Sequence, residues 1–126
     1  MTDKILIADD EELIRDITNS FLIENFPQFG VESFENGTSL ENRLNGNTDD
    51  VRLVITDNNM PGITGSEIIE RYATRLRFKD TPFILCYGGE DKIGKKAIEN
   101  GAFGYISKCS KAEVYIDIIK RALKLE

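Results

Sequence analysis

The 126-residue sequence contains no histidine. That excludes a histidine general base, a histidine phosphocarrier and the common histidine metal sites. Cysteine is scarce: Cys86 and Cys109 are the only two, too few for a disulfide framework. No second redox feature accompanies them, so they read as ordinary thiols of a cytosolic protein. No apolar run approaches the ~20 residues of a membrane span. The start, Met1-Thr2-Asp3-Lys4-Ile5, lacks the apolar stretch of a secretory signal. Positive charge is in deficit, with 16 Lys and Arg against 22 Asp and Glu, a net −6. Unspecific nucleic-acid binding needs many phosphate contacts and is disfavoured by such a charge. The expectation is a cytoplasmic protein with no membrane association and no direct nucleic-acid contact. Internal repeats, low-complexity tracts and linkers are also missing. Chemistry must therefore rest on carboxylates, lysine, hydroxyls and backbone.

The length fits a single domain over residues 1–126, with 40% apolar and 30% charged residues as in an ordinary globular protein. Strand-like and helix-like segments alternate. Ile5–Ala8, Arg52–Thr56, Pro82–Cys86 and Phe103–Ile106 are short, largely apolar runs, read as buried parallel strands, and Val31–Phe34 is read as a further, shorter strand. Between them, Glu11–Phe26 carries Leu13, Ile14, Ile17, Phe21 and Leu22 at helical spacing, and Pro27 with Gly30 ends it. Ser39–Leu44, Ser66–Arg77, Glu90–Asn100 and Lys111–Leu125 are the other expected helices, the last with Tyr115, Ile118, Ile119 and Ala122 inward. Strict alternation predicts an α/β fold, a doubly wound (βα)5 parallel sheet covered on both faces.

Charged residues follow three of these strands. Asp9 and Asp10 follow the first, Asp57 the third and Lys108 the fifth. In an open α/β sheet the ligand site lies outside the carboxyl ends of the strands. Three carboxylates and one ammonium are thus expected in one pocket. Carboxylates so close repel and partly protonate unless a cation holds them. A hard divalent cation such as Mg²⁺ beside a nucleophilic or phosphate-accepting Asp57 is the economical reading. One aspartate suffices to cap a helix starting near Glu11, so the Asp9-Asp10 pair wants a further reason. Asp57 alone would read as a turn opener, but its place after a buried strand favours chemistry. Lys108 is suited to pair with Asp57 or with a phosphoryl group on it.

Together these residues resemble the receiver domain of bacterial two-component response regulators, in particular the single-domain chemotaxis regulator type. The resemblance covers essentially the whole chain. It rests on Asp9-Asp10, on Asp57, Met60, Pro61 and Gly65 in D-x-x-M-P-x-x-x-G spacing, on Thr81-Pro82, and on Gly101-Ala102-Phe103-Gly104-Tyr105 leading to Lys108. It implies flavodoxin-like strand order 2-1-3-4-5. It implies phosphorylation of Asp57 by a histidine kinase, a phosphotransfer protein or a small acyl phosphate. Mg²⁺ would be held by Asp10 and Asp57 directly, by Asp9 through water and by the backbone carbonyl of Asn59. Lys108 would contact the phosphoryl group, and Tyr105 stands at the family's rotating aromatic switch.

The sequence departs from the family twice. A Ser or Thr is usual five residues after the strand-four proline, where its hydroxyl binds the phosphoryl group; here that residue is Tyr87. Either its ring fills the space into which Tyr105 turns and rewires output, or it points to solvent and water replaces the lost hydroxyl. The family also usually has a cis-bonded proline after the lysine, where this chain has Cys109. A cis bond before a non-proline residue costs roughly 3 kcal/mol, which favours a trans Lys108–Cys109 bond.

Three functions compete: a phosphoacceptor receiver in a phosphorelay, a pseudo-receiver that binds a partner without regulated phosphorylation, and a Mg²⁺-dependent phosphohydrolase. The last class uses an acid two residues after its nucleophile; Asn59 stands there and cannot transfer the proton. The chain is accordingly expected not to be an enzyme. A downstream protein is expected on the 90–125 face, where Lys92, Lys95, Lys96, Lys111, Lys120, Arg121 and Lys124 concentrate positive charge. A stand-alone regulator and a receiver cut from a longer chain both stay open.

Overall fold

Apolar runs of four to five residues are long enough to cross a sheet but too short for a buried helix. In the computed structural model, which describes residues 2–125, all of them are strands. These are β1 (Lys4–Ala8), β2 (Gly30–Phe34), β3 (Val51–Asp57), β4 (Phe83–Tyr87) and β5 (Gly104–Ser107). They pair in parallel in the order β2-β1-β3-β4-β5. The helices are α1 (Glu12–Asn25), α2 (Gly37–Leu44), α3 (Gly65–Tyr72), α4 (Asp91–Glu99) and α5 (Ala112–Leu123). This is the (βα)5 flavodoxin-like architecture. None of the described helices is long and apolar enough to cross a membrane.

The period-2 geometry of a strand splits each apolar run between two layers. In β1, Leu6 and Ala8 face Leu40, Leu44, Ile68, Ile69 and Tyr72 of α2 and α3. Ile5 and Ile7 face Leu22 of α1, Phe26 just past its end, and Ile118, Ile119 and Ala122 of α5. The expected inward stripe of α5 is as observed. That of α1 is not: Leu13 and Ile17 are 69% and 56% exposed, whereas Leu22 and Phe26 are buried. At 100° per residue, Leu13 lies diametrically opposite Leu22, so the two cannot share a face.

The third helix also differs from expectation. It stops at Tyr72, and a separate 3-10 turn covers Leu76–Phe78. Continued helix would have turned residue 76 inward, seven positions after Ile69. Instead the break exposes Leu76 and buries Phe78, which packs edge-on between Tyr72 and Phe83 at 6.0 and 5.6 Å. Three aromatic rings then fill the space between α3 and β4, and burial of the larger ring wins over helix continuity.

Candidate acidic site at the strand ends

Register brings the charged residues together. Ala8 pairs with Thr56 across β1 and β3, and Asp57 pairs with Cys86 across β3 and β4. Asp9, Asp10 and Asp57 each contribute a carboxylate oxygen, and these oxygens lie within 4.8 Å of one another. Lys108 Nζ stands 3.1 Å from Asp57 Oδ2 and 3.5 Å from Asp9 Oδ2. All four side chains expected at the site are therefore present in it.

They differ in environment. Asp57 is 2% exposed, at the closed end of the site. Neither of its carboxylate oxygens receives a hydrogen bond from the described residues. The Lys108 contact is an ion pair at short range rather than a directed hydrogen bond. Burial pushes the Asp57 carboxyl above its ordinary value, Lys108 counteracts this, and Asp9 adds to it. Burial by itself would lower Lys108, but pairing with Asp57 and then Asp9 outweighs it and holds the ammonium above its ordinary value. Asp9 is also buried, and its Oδ1 accepts the Glu11 backbone N–H at 2.9 Å. One aspartate of the pair thus does serve the start of α1. Asp10 is exposed and has neither an ion pair nor a side-chain hydrogen bond among the described residues. Its carboxylate is free to turn toward an ion.

The loop after β3 is held by backbone and amide contacts. Asn58 Oδ1 accepts the Ser66 N–H at 3.0 Å and also the Ser66 hydroxyl. Thr64 and Glu67 form a reciprocal capping box at the start of α3. A Cβ on Gly65 would fall 2.2 Å from the Asp57 carbonyl oxygen, so only glycine allows α3 to start this close to the acceptor residue. Asn59 is exposed at the start of this loop.

Three carboxylates and one ammonium leave the site with a formal −2. Buried, unbonded carboxylate oxygens are costly unless a cation satisfies them. The donor set is all oxygen, as a hard divalent ion such as Mg²⁺ requires, and the residues fit it.

Three features were not legible in the sequence. A cleft of about 290 Å³ runs from Asp9, Asp57 and Lys108 down between α1 and α5, past Ile14, Phe21 and Tyr115. Cys86 lines it beside Asp57, and burial, then the Asp57 charge, push its thiol up to about 12. Tyr87, one residue on, points to the opposite layer. It is 3% exposed, so the solvent-facing alternative is overturned. Its ring lies 5.5 Å from that of Tyr105 at 56°, and its hydroxyl donates to Asp91 Oδ1 at 2.9 Å. Tyr105 packs tightly on α4, since a Cβ on Gly94 would come within 2.3 Å of its ring. The described residues contain no cis peptide bond, so Lys108–Cys109 is trans.

A family model described as "Response regulator receiver domain" matches residues 5–120. A chemotaxis protein CheY of Pseudomonas aeruginosa is 31% identical over 120 residues, covering 94% of each chain. A glycerol metabolism activator of Pseudomonas putida is 33% identical over 122 residues, which span 95% of this chain and 53% of that protein. The response regulator protein FleR of Pseudomonas aeruginosa is 27% identical and is matched over only 24% of its length, so the chain spans about half of one of these relatives and about a quarter of the other. A receiver domain protein of Clostridium thermocellum superposes with a TM-score of 0.86 at 25% identity, over 97% of this chain and 94% of that one.

Proposed function

This chain belongs to the response regulator receiver family, and from that premise we propose that Asp57 accepts a phosphoryl group and thereby switches a protein-interaction surface. The observation that carries the proposal is the Asp57 carboxylate, buried at the closed end of the site with both oxygens unbonded and an ammonium at 3.1 Å. In the transfer an Asp57 oxygen attacks phosphorus. The bond from phosphorus to the donor's nitrogen or acyl oxygen breaks, and the donor leaves with that electron pair. The product is an acyl phosphate on Asp57. Lys108 pairs with Asp57 before transfer and with the phosphoryl oxygens after it, moving its charge little. Asp9 and Asp10, with Asp57 and the backbone carbonyl of Asn59, would hold Mg²⁺. Bound there, such an ion neutralises charge that develops on the phosphoryl oxygens.

The protein donor in this reading is a histidine kinase or a phosphotransfer protein, which supplies the phosphohistidine that a chain without histidine cannot. Ile17 on α1, 56% exposed, lines the cleft that opens on Asp57, and Leu13, 69% exposed, lies one turn away on the same helix; together they suit docking of such a donor. The output partner binds the 90–125 face, where Ile98, Phe103 and Val114 are exposed among the lysines. We read the protein as a cytoplasmic phosphoacceptor, not a turnover enzyme, since Asn59 supplies no acid for hydrolysis. Its acidic charge argues against direct nucleic-acid contact.

The second reading, a pseudo-receiver, is favoured by one observation: the Tyr87 hydroxyl is bonded to Asp91 rather than offered to the phosphoryl site. Intact mass after incubation with acetyl phosphate and Mg²⁺ separates the two. A labile gain of one phosphoryl group, absent in Asp57→Asn, supports the acceptor. No gain with either acetyl phosphate or a histidine kinase supports the pseudo-receiver.

A further inference from the structure

The β4–α4 connection has little to hold it. Gly88 and Gly89 are exposed, and a Cβ on either would meet nothing closer than 3.9 Å. The N-cap residue of α4, Glu90, makes no side-chain capping bond. One side chain spans the gap. From the end of β4, Tyr87 reaches over the two glycines and bonds Asp91 in the first turn of α4. The same ring covers Tyr105, which is otherwise pressed on the helix at Gly94. The backbone of Tyr87 is tied to the acidic site as well, because its carbonyl accepts the Lys108 N–H at 2.9 Å. Contacts thus run without a break from Asp57 through Lys108 and Tyr87 to Asp91 and Tyr105.

We infer that Tyr87 and Asp91 form a latch that fixes the first turn of α4 and keeps Tyr105 packed on Gly94, and that output is switched by releasing this latch. A hydroxyl drawn to the phosphoryl group is not needed, because Lys108 links the site to the Tyr87 backbone. The release step rests on Asp57 being an acceptor; the latch itself does not. Asp91 acts through Tyr87 and is a positioning residue. Burial, reinforced by the Asp91 carboxylate, holds the Tyr87 hydroxyl above its ordinary value, so the donor stays protonated.

The test is amide hydrogen exchange over residues 88–95, with NMR of ring-labelled tyrosine. The chain has four tyrosines, so Tyr105 is assigned by one Tyr105→Phe control. In unphosphorylated protein, Tyr87→Phe and Asp91→Ala each speed exchange by about fivefold, the effect of losing one ordinary hydrogen bond. The double variant adds nothing to either single change. Asp91→Asn keeps an acceptor oxygen and exchanges as wild type does. Gly94→Ala displaces the Tyr105 ring and moves its signals. Unchanged exchange in both Tyr87→Phe and Asp91→Ala would overturn the latch. So would Asp91→Asn loosening the segment as much as Asp91→Ala, which would assign the effect to charge at the helix terminus. After a phosphoryl gain confirmed by mass, wild-type exchange rises to the level of Tyr87→Phe, and Tyr87→Phe rises no further. A confirmed gain with no change in wild-type exchange overturns release. Absence of any gain overturns the acceptor reading and release together, and the unphosphorylated variants then judge the latch alone.

Discussion

Replacing Asp57 with Asn should stabilise the protein when divalent cations are absent. In the native protein this carboxylate is almost fully buried, its oxygens unbonded and Asp9 nearby. An unsatisfied buried polar group costs about 1–3 kcal/mol, more when charged. Against this stands the ion pair with Lys108, whose side chain is 29% exposed, and such a pair contributes about 0–1 kcal/mol. The asparagine amide is neutral, and Lys108 keeps Asp9 at 3.5 Å as a partner. The cost outweighs the pairing, giving a net gain of about 1–2 kcal/mol, or about 3–10 °C in melting temperature for a chain of this size. The assay is a thermal melt by circular dichroism in EDTA, repeated with Mg²⁺. At ten times its dissociation constant, a cation that binds only the folded state adds about 1.4 kcal/mol. The wild type should show that increment and Asp57→Asn little of it, so Mg²⁺ narrows or reverses the order. A variant less stable than wild type in EDTA would refute the reasoning about burial. Equal Mg²⁺ responses would refute the assignment of Asp57 to the cation site.

Other perturbations probe separate parts of the molecule. Leu13→Ala with Ile17→Ala should slow transfer from a cognate kinase at least tenfold while leaving labelling by acetyl phosphate unchanged, because both side chains are exposed and outside the core; equal slowing with both donors would show damage to the site instead. Ellman's reagent at pH 8 should find one fast thiol, the exposed Cys109, and a second only on unfolding, since the Cys86 thiol is held near 12. Asp50 pairs with Arg43 at 3.1 Å, and that hydrogen bond keeps its carboxyl below the ordinary value despite some desolvation. The contribution is therefore present above the unfolded carboxylate range and lost as pH falls through the lowered native value. The small melting difference between wild type and Asp50→Asn should be full at neutral pH and vanish in acid.

Much of this protein is legible in its sequence. Short apolar runs flanked by Gly, Pro and charge specify strands, and strict alternation with helices specifies a parallel sheet, because parallel neighbours need a crossover and both faces need cover. Once the strands are parallel, residues at their carboxyl ends must meet, so Asp9, Asp10, Asp57 and Lys108 were recognisable as one site. Tertiary structure alone decided the rest. Periodicity leaves the rotation of α1 open when apolar residues surround it, and packing of Leu22 and Phe26 turned Leu13 and Ile17 outward. The end of α3 was settled by Phe78 meeting Tyr72 and Phe83. Two adjacent aspartates look alike in sequence, yet one is buried on the backbone of α1 and the other exposed. The direction of Tyr87 depended on Tyr105, Gly94 and Asp91 sharing one layer. Pattern along a chain carries secondary structure and strand order because those follow from local periods. Which oxygen is left unbonded, and which ring covers which, follows from side chains that meet only when distant elements pack.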